Sequence, residues 1–204
     1  MLAATRSLLA FLLGLCLLAS AGGCSPTTFG DYPRAPVKVT PLASPAGWTR
    51  VEEPRWFSAS MPGEPTTRVE TIGVEDAHVE VKALSATDRK TLFTWIRYFE
   101  VSSVSTMLDA DALVRAGRRD FLGIDGVSFV RDEPRKGGGP ALDFVCSVAP
   151  RSPLAPSDTP MVARVRAYGH VGPTNRIVFA VAVWPAGASD EAARAFFDAL
   201  RVAG

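Results

Sequence analysis

Apolar and polar residues alternate along most of this chain with a period of two, and the rhythm changes to a period near 3.6 in two places. Residues 56–62, 66–72, 77–86, 92–102, 127–132, 142–148, 163–170 and 177–184 read as strands. In 77–86, Val79, Val81 and Ala83 share one face, and His78, Glu80 and Lys82 share the other. In 142–148, Leu142, Phe144, Cys146 and Val148 alternate with Asp143, Val145 and Ser147. The run 177–184 is apolar at both parities, which predicts a central strand buried on both faces.

The first helical stretch follows Asp109, a good N-cap, with Asp111 at the positive end of the helix dipole. Ala110, Leu113, Val114, Gly117 and Phe121 form its apolar face, Arg115, Arg118 and Arg119 lie off that face, and Gly123 stops it. The second stretch, 189–200, carries Ala193, Phe196, Phe197 and Leu200 as its stripe and is expected to dock on the 177–184 strand. Turns are expected at Pro62-Gly63, at 73–76 and at Lys136-Gly-Gly-Gly-Pro140, and a Pro-rich loop at 149–160. Strands, helix, strands and helix in that order predict an α+β single domain with an antiparallel sheet.

The head of the chain is different. Arg6 precedes a 13-residue apolar run from Leu8 to Ser20, too short for a comfortable transmembrane helix, so residues 1–23 read as a secretory leader. Ala21-Gly-Gly-Cys24 resembles the bacterial lipoprotein box, with Ala21 standing where Leu is usual. That resemblance implies cleavage before Cys24 and a lipid on its thiol, with a plain secretory signal or an uncleaved anchor as alternatives. Cys16 follows Leu15, where a small residue is needed, and does not fit. Residues 24–47 contain Pro26, Pro33, Pro36, Pro41 and Pro45 and read as a semi-extended tether, or as a strap held along the domain by Phe29 and Tyr32. The globular unit is expected over 48–204.

Composition narrows the function classes. Without the leader and its Arg6, basic and acidic side chains are equal in number. A balanced chain has no electrostatic footprint for nucleic acid and no polybasic patch for an anionic membrane. Cys146 is the one cysteine beyond the leader and Cys24, so no intrachain disulfide framework is expected, and its parity marks it as a small buried side chain.

Trp48, the Phe57-Ser-Ala-Ser-Met-Pro62 strand, the mid-chain helix and the closing strand and helix with Phe196-Phe197 together resemble the PsbP-like superfamily of the PsbP/DcrB type, over residues 47–204. The resemblance implies an antiparallel sheet sandwiched between helices, in an envelope protein with a binding or accessory role and no shared catalytic site.

Candidate chemistry is sparse. Gly-x-Ser-x-Gly, His-Glu-x-x-His and both nucleotide-binding glycine patterns are absent. His78, His170 and Cys146 are each isolated in their segments, which predicts no metal and no cofactor. Asp109 and Asp111 lack the later Gly and Glu of a calcium loop. Arg164, Arg166, Tyr168 and His170 share one strand parity. Such a stripe is either a protein-contact surface or a face partly covered by a helix with the arginines lying over it. The 150–160 loop is either a recognition arm or a variable connection. The expected function is a non-enzymatic envelope lipoprotein, attached to a membrane through lipid on Cys24 and binding a partner protein. Two other readings are open. One is a hydrolase gathering His170, Asp143 and a hydroxyl; the other is a small-ligand carrier with an apolar cavity.

Overall fold

The structure, a computed structural model, describes residues 38–41, 47–74, 77–88, 91–102, 110–134, 141–155, 158–170 and 174–203. The expected leader, Cys24, the Asp109 cap, the Lys136–Pro140 loop and the side chain of His78 lie outside the described residues.

The chain runs β1 (Lys38–Pro41), β2 (Trp48–Glu53), β3 (Phe57–Pro62), β4 (Thr66–Val74), β5 (Ala77–Thr87) and β6 (Phe93–Ser102). Then come α1 (Ala110–Leu122), β7 (Val127–Asp132), β8 (Ala141–Val148), β9 (Met161–His170), β10 (Thr174–Pro185), α2 (Glu191–Ala199) and β11 (Arg201–Val202). Two sheets result. The larger has the order β4-β5-β6-β10-β9-β8-β7 and the smaller β1-β2-β3-β11, with antiparallel pairing throughout.

β10 is the central strand. Its two parities feed two cores: Ile177, Val181 and Val183 face one, and Val178, Ala180, Ala182 and Trp184 face the other. On the first face α1 packs over β7 to β10, burying Leu113, Val114 and Phe121 against Phe144, Cys146 and Val165. On the second face lie β3, through Phe57, Ala59 and Met61, and α2, through Phe196 and Phe197.

This corrects the expected fold. The large sheet is not sandwiched between helices; the chain is β-rich, and the described residues hold two helices of 13 and 9 residues. The second cover is largely a sheet of its own. Period-two alternation tells which side of a strand is buried but not which sheet the strand joins. Here the switch is made at Pro62-Gly63. Gly63 has φ +71°, and a Cβ there would meet the Thr87 carbonyl at 3.0 Å, so only glycine passes this close to β5 while β3 hands over to β4.

β1 lies inside the segment expected to be a tether. It pairs Lys38 with Glu52 through Pro41 with Thr49 at the outer edge of the small sheet. Pro41 is tolerated because an edge strand has one side without ladder bonds. Among the described residues no helix is long and apolar enough to cross a membrane.

Candidate functional site

β8 and β9 pair so that Asp143 stands opposite Arg166 and Val145 opposite Arg164. Asp143 is therefore flanked by two arginines on one face of adjacent strands. Arg164 donates from Nε to Oδ1 and from Nη2 to Oδ2, both at 2.8 Å. Arg166 donates from Nε to Oδ2 at 2.7 Å and from Nη1 to the Phe197 carbonyl at 3.1 Å. That carbonyl belongs to the last turn of α2, where helix carbonyls lack intrahelical partners. Both guanidiniums also lie over the Phe197 ring, at 5.0 and 4.9 Å. The Asp143 side chain is only 4% exposed. Hydrogen bonding to Asp143 raises the Arg164 pKa further, against the opposing effect of burial.

The predicted stripe is thus divided. Arg164 and Arg166 are tied to Asp143 beneath α2, and Tyr168 packs against the second core. His170 is half-buried at the end of β9, opposite Arg176 of β10. His170 and Asp143 are not brought together. They stand four register positions apart, about 13 Å along the sheet, and Asp143 is already taken by the arginines. Cys146 is fully buried, and burial pushes its thiol up to about 12, against a smaller opposing effect of Arg118. No cluster of His, Cys, Asp or Glu that could hold a metal occurs among the described residues. The 150–160 loop is partly pinned: Leu154 and Ala155 sit in the first core, and the Ser152 hydroxyl donates to the Asp125 carbonyl at 2.7 Å.

Beside the Asp143 pair, the start of α2 leans over β7 to β10 and leaves a cleft of about 100 Å³. Arg131, Glu133, Arg164, Asp190 and Arg194 give it polar walls, and Val145, Trp184 and Ala193 give it apolar ones. Arg131 pairs with Glu133 at 2.8 Å, and Arg194 pairs with Asp190 at 2.8 Å, one helical turn apart. Sequence reading missed Arg131, Glu133, Asp190 and Arg194, because the cleft joins segments far apart in the chain. Asp143 entered only as a hydrolase candidate. A carboxylate set within the apolar run 142–148, with arginines two apart in a neighbouring strand, is the signal of a buried ion pair.

The far edge of the large sheet is also distinctive. β7 is an edge strand with a bulge between Phe129 and Arg131. Phe129 and Val130 are 45% and 50% exposed, and the Arg118 guanidinium lies 5.0 Å over the Phe129 ring.

No family model matches this chain. No curated protein matches it either. A protein from Bacteroides thetaiotaomicron, solved at 1.50 Å resolution, is similar over 72% of this chain, with a TM-score of 0.35 and 14% identity. The match spans 45% of that protein's own length.

Proposed function

We propose that this chain is a bacterial envelope lipoprotein, held at a membrane by lipid on Cys24, whose β-rich domain binds a partner protein without doing chemistry of its own. The leader and the Ala21-Gly-Gly-Cys24 box support the anchor. The binding role is carried by β7. An edge strand offers unpaired backbone donors and acceptors, and this one sets Phe129 and Val130 in solvent beside its bulge. A non-enzymatic role agrees with Asp143 being held by two guanidiniums and with the thiol of Cys146 being buried and protonated.

Two measurements test this reading. Radiolabelled palmitate fed to expressing cells is incorporated by the wild type and not by Cys24→Ser; a wild type without label removes the anchor. In-cell crosslinking yields a discrete product that disappears in Phe129→Ser/Val130→Ser. A product unchanged by that pair removes β7 as the contact.

A further inference from the structure

The cleft between α2 and β7 to β10 takes no part in the role proposed above, and its chemistry points to a ligand. Three guanidiniums reach it from three different elements: Arg131 from β7, Arg164 from β9 and Arg194 from α2. Each is oriented through its Nε edge by a carboxylate, Glu133, Asp143 and Asp190 respectively, at 2.8 Å. A guanidinium carries five N–H donors, so a partner on the Nε edge leaves Nη hydrogens for another acceptor. Holding the arginines by ion pairs also fixes their forks before any ligand arrives.

The same carboxylates nearly balance the charge of the arginines. Selection by a strong positive field is therefore ruled out, and selection by geometry is left. A planar group with two acceptor oxygens matches guanidinium edges bidentately. A phosphate with two charges would sit beside Glu133 and Asp190 and be repelled, whereas a monoanion meets less opposition. The remaining wall is apolar, formed by the Trp184 indole with Val145 and Ala193. A cleft of about 100 Å³ accepts only a few heavy atoms.

We propose that this cleft binds a carboxylate on a short apolar stem, with the carboxylate between Arg131, Arg164 and Arg194 and the stem against Trp184. A free short-chain acid and the C-terminal residue of a peptide both present this group. A ligand of so few atoms binds weakly, with Kd on the order of 0.1–1 mM.

The test is an NMR titration of the full-length protein in detergent, following arginine Nε–H and tryptophan indole resonances. The probes are sodium butyrate, an N-acetylated tripeptide ending in valine with a free carboxylate, the same tripeptide as its amide, sodium phosphate and sodium chloride. Butyrate or the free-acid peptide is expected to shift Arg131, Arg194 and Trp184 saturably, while the amide, phosphate and chloride do not. Response to butyrate alone assigns a small acid, and response to the peptide assigns a chain end. Arg131→Gln/Arg194→Gln changes two well-exposed side chains, so the fold is kept, and it is expected to weaken binding at least about tenfold. Equal shifts with chloride, no saturable shift with either carboxylate, or undiminished binding in the double variant overturns the proposal. The anchor is read from the label on Cys24 and the partner contact from the crosslink lost in Phe129→Ser/Val130→Ser, so this proposal and the one above fail separately.

Discussion

Asp143 receives Arg164 fork to fork, with Nε and Nη2 donating to the two carboxylate oxygens at 2.8 Å each. Arg166 completes the arrangement from the same face of β9. A buried charge pair adds little net stability over apolar residues of the same volume, but breaking it leaves a charge without a partner. Asp143→Ala strands two guanidiniums beneath α2 and is expected to cost about 3–5 kcal/mol in urea unfolding. Replacing all three residues together, Asp143→Leu with Arg164→Met and Arg166→Met, is expected to recover most of that loss. A triple variant as unstable as Asp143→Ala would show that the ion pairs themselves stabilise the fold.

Gly117 lies on the buried face of α1, directly against Phe179 of β10. A Cβ at position 117 would fall 2.2 Å from Phe179 Cζ, and the ring is stacked on Phe99 at 6.4 Å, which limits its retreat. Alanine gains about 1 kcal/mol of helix propensity over glycine. Overpacking costs about 1–3 kcal/mol and opposes it. Gly117→Ala is therefore expected to lower the melting temperature, and Phe179→Leu in the same chain to restore part of it. Thermal melts of the four members of this cycle give the coupling directly. Additive effects would mean that the ring moves aside freely.

Much of this architecture was legible in the chain. The two-parity run 177–184 marked β10 as central because a strand apolar on both sides must be covered on both. The Ala110, Leu113, Val114, Gly117 and Phe121 stripe marked the face that α1 buries. The division into two sheets was not legible. Val51, Phe57, Ala59 and Met61 alternate like any half-buried strand, and nothing local says that they face the large sheet instead of extending it. The cleft was hidden for a similar reason. Arg131 and Arg194 each pair with a near neighbour in sequence, as ordinary surface charges do, and only folding brings them to Arg164.

Asp120 gives the fold a pH dependence. It sits in the last turn of α1, and its Oδ2 is buried without a hydrogen-bond partner. Burial raises its pKa from 3.8 to about 6, against a smaller opposing effect of Arg119. The unfolded chain ionises this carboxyl near 3.8 and the folded chain only near 6, so its contribution is fully present below the first value. It is lost as pH rises through the second. The residue is partly exposed, and solvent screening reduces the cost at neutral pH to about 1 kcal/mol. Asp120→Asn is expected to stabilise by about that much at pH 7.5 and to have no effect below about pH 3.5. Urea midpoints for both proteins across that range check this, and an equal gain at both ends would assign the effect to something other than ionisation.

Cys146 is expected to be chemically silent while the domain is folded. It is fully buried between α1 and the large sheet, and burial pushes its thiol up to about 12. Only the thiolate reacts with alkylating agents, so low access and a low thiolate fraction act together. Iodoacetamide at pH 8, followed by peptide mapping, is expected to leave Cys146 unmodified in buffer and to modify it fully in denaturant. Rapid labelling in buffer would show that the first core opens locally.

The closing segment is expected to be indispensable, for reasons the structure makes specific. α2 buries Phe196 and Phe197, and Leu200 follows them into the second core. The Phe197 ring and carbonyl also hold both arginines of the Asp143 pair. β11 then pairs with β3, closing the small sheet. Burial of three large apolar side chains contributes about 1.5–3 kcal/mol each. Their sum is comparable with the 5–15 kcal/mol that holds an ordinary domain together. A chain ending at residue 188 loses all of this, and also exposes Arg164, Arg166 and the apolar face of β10. It is expected to show no cooperative thermal transition, whereas a shorter deletion that removes only β11 and the residues after it should melt cooperatively at a lower temperature. A cooperative melt in the longer deletion would mean that β2 and β3 alone suffice to cover the second face of the large sheet.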